Sequence, residues 1–168
     1  MVVKKNQKKK IHLTQKECLF CSFVSGKNKK QGKNYIFEIL HKTPNTLSFH
    51  SIDFPSPKKE HVLVIPKKHY VNLEDCPKKV LHELIEHVSL ISTALRIENE
   101  GTNLLLNDGR SAEQSVMHTH FHIVPRNSCD GIEIELWKRA HISEKEYHKL
   151  NDRIRRLISE AKKGIKSR

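Results

Sequence analysis

The stretch His118-Thr119-His120-Phe121-His122-Ile123-Val124-Pro125 constrains this chain more than any other. Side chains alternate along an extended backbone, so a strand here carries His118, His120 and His122 on one face and Thr119, Phe121 and Ile123 on the other. Three imidazoles on one face make a poor core, because each buried ring brings two nitrogens that need partners. Histidine is abundant in this chain, 12 of 168 residues, yet abundance alone does not produce strict alternation followed by two apolar residues. Neutral imidazole is a good nucleophile toward phosphorus, and a second ring nearby can fix its tautomer or move its proton. The pattern predicts covalent catalysis through a phosphorylated or nucleotidylated histidine.

The wider stretch Gln114-Ser115-Val116-Met117-His118-Thr119-His120-Phe121-His122-Ile123-Val124 resembles the signature of the histidine-triad superfamily, His-x-His-x-His followed by two apolar residues. Upstream, His61-Val62-Leu63-Val64-Ile65-Pro66-Lys67-Lys68-His69 is similar to the second landmark of that family, and Cys18-Leu19-Phe20-Cys21 extends the resemblance over residues 18–126. The resemblance implies the histidine-triad fold, commonly a homodimer whose sheets join across the interface. It places the covalent nucleophile at His120, with His122 supporting the nucleophile and the proton balance of the leaving group. Ser115 and Gln114 match the Gln-Ser pair that contacts the phosphate, the Ser115 hydroxyl helping to protonate the leaving group, and Asn107 matches an upstream phosphate contact. Neutral donors around a phosphate suit charge developing on its oxygens.

Phe20, Phe23, Phe49 and Ile52 fall near the positions where related proteins build an apolar slot for a purine base. The ribose position falls on Asp53 if no gap is allowed and on Ser51 if two residues are inserted later. Asp53 is preferred, since a carboxylate accepts from both ribose hydroxyls. The zinc-bearing, Hint-like branch uses a Cys-x-x-Cys pair with two histidines, here Cys18, Cys21, His69 and His118, a closed tetrahedral set that suits structural zinc. One departure stands out: Glu113 occupies the place of a small residue, usually Gly, before Gln-Ser.

The net charge is +12, which favours anionic partners without choosing among them. Much of it lies outside the motif block, at Lys4–Lys10, Lys27–Lys33 and Arg153–Arg168, so basic tails suited to nonspecific nucleic-acid contact are expected. No apolar run reaches the length of a membrane span and the Lys-rich N-terminus lacks a secretory core, which predicts a soluble, cytoplasmic protein with no membrane partner. Four cysteines in such a compartment read as metal ligands or free thiols rather than as disulfides.

Three regions are expected: a basic arm over 1–15, a catalytic domain over 16–140, and a basic helix and tail over 141–168. Cys18–Val24 reads as a short helix and 25–32 as a polar loop. Tyr35–Leu40 and Thr46–His50 read as strands around a turn at Lys42-Thr43-Pro44-Asn45, and Val62–Ile65 as a buried strand ended by Pro66. Val80, Leu81, Leu84, Ile85, Val88, Ile91 and Leu95 form one stripe of a long helix over 77–98. Asn103–Asn107 reads as a strand and Asp108–Ser111 as the turn before the triad. Ser143 with Glu146 has capping-box spacing and opens a last amphipathic helix carrying Tyr147, Leu150, Ile154, Leu157 and Ile158. The fold class is α+β, a mainly antiparallel sheet with one long helix and an added C-terminal helix. The expected activity is hydrolysis at the α-phosphate of purine nucleotide derivatives, phosphoramidates or diadenosine polyphosphates. The alternative is a nucleic-acid-binding protein or a deadenylase of adenylated nucleic-acid ends.

Overall fold

The computed structural model describes residues 18–31, 35–53, 55, 60–134 and 143–166. The expected N-terminal arm lies outside the described residues. The chain divides into two compact units, residues 1–132 and 133–168. The boundary expected between 140 and 141 falls within 135–142, also outside the described residues.

The first unit is built on a five-stranded sheet of β3 (His41–Lys42), β4 (Thr46–His50), β5 (Val62–Pro66), β6 (Gly101–Leu106) and β7 (Phe121–Arg126). Its order is β3-β4-β5-β7-β6 and every neighbouring pair is antiparallel. Helix α1 (Leu19–Val24) covers one face and helix α2 (Lys78–Leu95) the other. This is the α+β architecture expected from the pattern. β5 is buried along its whole length because it serves both faces. Leu63 and Ile65 join Leu47, Phe49, Phe20 and Phe23 on the α1 side, while Val62 and Val64 join Ile123, Leu84 and Val88 on the α2 side.

Several boundaries differ from the sequence reading. Tyr35–Leu40 is not one strand: β2 is Tyr35–Ile36 and pairs back onto β1 (Lys30–Gln31), inside the stretch that reads as a polar loop. Ile39 and Leu40 are nearly half exposed, so their β propensity meets no packing surface to reward it. β6 starts two residues earlier than expected and ends before Asn107. β7 begins only at Phe121, and Pro66 explains why. The register that pairs Val62 with Ile123, Leu63 with His122 and Val64 with Phe121 would, continued, set His120 opposite Ile65 and then Thr119 opposite Pro66, which has no N–H to donate. The Thr119 amide instead donates to the Tyr70 carbonyl at 2.7 Å, and residues 118–120 leave the ladder toward the 67–70 loop.

The α2 stripe holds at Val80, Leu84 and Val88, whereas Ile85 is 52% exposed. A polar residue that the apolar pattern passes over, His87, is only 2% exposed on the same side. Its ring bridges two hydroxyls of β4, Thr46 Oγ1 at 2.7 Å and Ser48 Oγ at 3.1 Å, the polar alternates of Leu47 and Phe49. Nearby, the Glu83 carboxylate accepts from the Thr43 hydroxyl and from the Asn45 amide, which ties α2 to the β3–β4 turn. Burial, with a smaller push from His41, takes the His87 imidazole down to about 4.

A depressed histidine means that the unfolded chain binds the proton more readily, so this contribution is complete above pH 6.5 and is lost as pH falls from 6.5 toward 4. For one ring this is about 3 kcal/mol. The urea midpoint is expected to drop between pH 7 and pH 4, and to drop less in His87→Gln. Equal slopes in the two proteins would show that His87 is not the titrating group.

In the second unit, helix α3 (Glu144–Lys166) opens with the expected capping box. The Glu146 carboxylate accepts from the Ser143 amide at 2.9 Å, and the Ser143 hydroxyl accepts from the Glu146 amide at 3.3 Å. Its apolar stripe of Tyr147, Leu150, Ile154, Leu157 and Ile158 is 40–55% exposed. Among the described residues no helix is long and apolar enough to cross a membrane.

Candidate active site and metal cluster

The break in the ladder at Thr119 places the triad. His118 and His120 are buried in the irregular segment that follows a bend and leads into β7, and His122 is in β7 opposite Leu63 on the α1 face. A cleft opens there, lined by Leu19, Phe20 and Phe23 of α1, by Phe49, Ser51, Ile52 and Asp53 after and within β4, by His61 and Leu63, and by Ser115, Val116, His120 and His122. It is apolar at the α1 end and carries imidazole and hydroxyl groups at the other.

Hydrogen bonds set the tautomer of each ring. His120 Nδ1 is 2.7 Å from its neighbour's carbonyl, His118 O, so Nδ1 carries the proton and donates, and Nε2 keeps its lone pair. His61 Nδ1 likewise donates to Asp53 O at 2.6 Å, leaving His61 Nε2 to accept from His122 Nδ1 at 2.9 Å. That leaves His122 Nε2 as a lone-pair nitrogen, buried and without a hydrogen-bond partner among the described residues. A chain of protons thus runs from Asp53 O through His61 to His122, the two rings 5.0 Å apart and stacked. Burial lowers both triad rings. His122 falls to about 4, helped by His120 and His61, and His120 falls as well, although its bond to His118 O opposes the shift. Both rings are neutral near pH 7, as a nucleophile or general base must be.

The other expected residues are distributed unevenly. Ser115, Asp53, Phe20, Phe23, Phe49 and Ile52 all line the cleft, and Ser51 lines it too, its hydroxyl accepting from the Asp53 amide at 3.1 Å. Asn107 sits one residue past β6, where the register that pairs Leu106 with Phe121 would set it opposite His120, but it does not line the cleft. Gln114 is buried with its side chain committed: Oε1 accepts from the Gly109 amide at 2.9 Å and Nε2 donates to Val71 O at 2.8 Å. It therefore braces the turn that presents Ser115. Glu113 has a left-handed backbone, φ 63°, at a cost of about 1 kcal/mol for a residue with a Cβ. That geometry accounts for the small residue expected there. Its side chain is exposed and is not part of the cleft wall.

His61 is the residue that the sequence reading left without a role. It lies two positions before Leu63, which faces His122, and so occupies a diagonal position on the same sheet face. The signal was present only jointly, in the strand pairing and the alternation.

On the other side of Phe20, Cys18, Cys21, His69 and His118 bring their ligand atoms within 4.8 Å of one another. His118 Nε2 donates to Pro66 O at 2.8 Å, so His118 Nδ1 presents a lone pair to Cys18 Sγ at 3.5 Å and Cys21 Sγ at 3.6 Å. His69 Nδ1 is 3.4 Å from Cys21 Sγ. Metal–sulfur and metal–nitrogen lengths of about 2.3 and 2.0 Å at a tetrahedral angle give an S···N edge of about 3.5 Å. The four residues are already spaced for one ion. Burial and the neighbouring Cys18 push the Cys21 thiol up to about 12, so that thiol needs a cation before it ionises, and two thiols with two imidazoles are the donor set that a dication of zinc's character favours.

A family model for the HIT domain matches residues 36–129. An uncharacterized HIT-like protein of Methanocaldococcus jannaschii is 32% identical over 115 residues, 68% of this chain and 82% of that protein. An adenosine 5'-monophosphoramidase of Candida albicans is 33% identical over 115 residues, 65% of this chain and 70% of that enzyme. Among solved structures, a HIT family member from Bacillus subtilis superposes with a TM-score of 0.68 at 29% identity, covering 83% of this chain and 95% of that one. A zinc-bound histidine triad family protein from Mycobacterium smegmatis superposes with a TM-score of 0.59 at 29% identity, covering 87% and 99%.

Proposed function

Because this chain belongs to the HIT domain family and is a histidine-triad nucleotide hydrolase, we propose that it cleaves purine nucleoside phosphoramidates or diadenosine polyphosphates at the α-phosphate through a covalent bond to His120. One observation carries the reading: the His118 carbonyl pins the proton of His120 on Nδ1, which leaves Nε2 as a neutral nucleophile in a cleft shared with Ser115 and His122. The similarity to an adenosine 5'-monophosphoramidase supports a phosphoramidate as substrate.

In the proposed cycle the base lies against Leu19, Phe20, Phe23 and Phe49, and the Asp53 carboxylate accepts from the ribose hydroxyls. Asn107 contributes a phosphate contact once the nucleotide is in place, and the Gln114 side chain holds the turn that carries Ser115. His120 Nε2 attacks the α-phosphorus, the bond from phosphorus to the leaving group breaks, and the leaving group takes a proton delivered through the Ser115 hydroxyl. Water then attacks the phosphorus of the His120 adduct. Its proton passes to His122 Nε2, and the positive charge is shared with His61 through the bond between the two rings. The nucleoside monophosphate leaves, His122 passes the proton to solvent and so replaces the one that the leaving group drew through Ser115 in the first step, and His120 regains its starting tautomer. Cys18, Cys21, His69 and His118 would hold zinc, which supplies structural cross-linking. The similarity to a zinc-bound family member supports that choice of ion.

Purified full-length protein is expected to convert an adenosine phosphoramidate to AMP, and a trapped sample to gain the mass of one adenylyl group on His120. Release of AMP from neither a phosphoramidate nor a diadenosine polyphosphate would overturn the reading. His61→Ala is expected to lower kcat by roughly 10- to 100-fold with little change in KM, because His122 loses the acceptor that fixes its tautomer. A change confined to KM would place His61 in binding instead. β6 is an edge strand among the described residues, with Leu104 half exposed, and is the edge along which two sheets would join in the proposed homodimer. Light scattering on the eluting protein reads that directly.

A further inference from the structure

Phe20 stands between the metal cluster and the nucleotide cleft. Its sequence neighbours on α1 include Cys21, and Cys18 caps the same helix, so the ring is carried by the segment that supplies both thiols. The ring lies edge-on to His118 at 5.7 Å and to His120 at 5.2 Å, and edge-on to Phe49 at 5.5 Å on the cleft wall. One aromatic ring therefore touches a residue of the metal cluster, the proposed nucleophile and the base slot.

What holds α1 in place is limited. It has six residues, its first residue has no side-chain cap, and no acidic or basic side chain supports either end. A helix this short is far below the length of about 12–15 residues at which isolated helices become even marginal, so it stands only by tertiary anchoring. The anchors are the apolar cluster with Leu47, Phe49, Leu63 and Ile65, and the two thiols facing His69 and His118. An ion bridging those four residues would tie α1 to the 67–70 loop and to the triad segment at once. Leu19, Phe20 and Phe23, which form the apolar wall of the cleft, move with α1.

We propose that Phe20 couples the metal cluster to the nucleotide cleft, so that a metal ion on Cys18, Cys21, His69 and His118 raises the affinity of the cleft for a purine nucleoside monophosphate by holding Phe20 against His120. Phe20 is a positioning residue in this scheme. It acts on binding by fixing the wall that receives the base, and on the nucleophile by fixing the plane of its ring. The inference rests on the nucleotide reading of the same cleft.

The test reads binding and not turnover. AMP is titrated calorimetrically into the full chain loaded with zinc and into the same protein stripped with a chelator, both checked for a folded circular-dichroism spectrum. Stripping is expected to weaken AMP binding by roughly 10-fold, within the ordinary range of coupling between sites, and by reciprocity AMP is expected to slow zinc loss to a chromogenic chelator and raise zinc affinity by the same factor. Phe20→Ala retains all four ligands. It is expected to bind zinc with unchanged stoichiometry while AMP affinity, lower overall, becomes the same with and without metal. Equal AMP affinity in loaded and stripped wild-type protein would overturn the coupling. So would a coupling of undiminished size in Phe20→Ala, which would assign it to general stability. If the stripped protein unfolds, the decision passes to the zinc-loaded proteins: saturating AMP is expected to slow zinc loss from wild type and to leave it unchanged in folded, loaded Phe20→Ala, and equal slowing in both would overturn the role of Phe20. Loaded protein that fails to bind AMP at all would instead overturn the nucleotide reading, a different result from binding that ignores the metal.

Discussion

His120→Asn is expected to bind AMP within a few-fold of wild type while losing turnover by roughly 10⁴-fold or more, because the lost group acts only in bond making. Asparagine is chosen for its geometry. Its side-chain amide can still donate to His118 O, as Nδ1 of His120 does at 2.7 Å, so the segment before β7 and its neighbours His118 and Phe20 keep their anchoring. What disappears is the lone pair of Nε2. The readouts are calorimetric AMP affinity and single-turnover release of AMP from a phosphoramidate, followed by mass spectrometry for the adenylyl adduct. Near-wild-type turnover in purified His120→Asn protein would eliminate covalent catalysis at this residue. A parallel loss of AMP binding would show that the ring is needed to shape the cleft.

The features that were legible in the sequence are those written in short-range periodicity. The alternation of His118, His120 and His122, the 3–4 spacing from Val80 to Leu95, the Cys18-x-x-Cys21 pair and the Ser143-x-x-Glu146 cap each need only a few adjacent residues to be seen. What escaped depends on which segments meet. His61 becomes a partner of His122 only once β5 and β7 are paired with Leu63 opposite His122, a register that local pattern does not state. His87 was invisible for a related reason. A stripe of apolar residues is read by omitting polar ones, yet β4 turns Thr46 and Ser48 toward α2, and a buried imidazole is the group that satisfies both hydroxyls. The late start of β7 follows from Pro66, whose effect falls on another strand more than fifty residues away. Gln114 carries the complementary lesson. Its place in the Gln-Ser pair suggests a phosphate contact, while its two side-chain hydrogen bonds are spent inside the protein, on Gly109 and Val71.

Loss of the metal cluster is expected to lower stability more than any other change at the site. Each of its four residues is committed elsewhere: Cys18 and Cys21 belong to the α1 core cluster, His118 is bonded to the end of β5, and His69 sits in the loop that receives the Thr119 amide. An ion at their centre ties three separate stretches of chain, and its binding energy becomes folding energy because the unfolded chain does not preserve the site. Cys21→Ser removes one thiolate and leaves a buried hydroxyl near two imidazoles, so it is expected to cost at least about 4 kcal/mol, or roughly 10 °C in Tm for a chain of this size. The decisive comparison is with a chelator. Wild-type protein, expected to carry about one zinc per chain by elemental analysis, should fall in Tm when the chelator is added, while Cys21→Ser should begin low and respond little. An unchanged wild-type Tm in chelator, or gently purified protein free of metal, would mean that the apolar packing of Phe20, Phe23, Phe49 and Leu63 holds α1 unaided, and that the four ligand residues contribute as neutral, buried side chains.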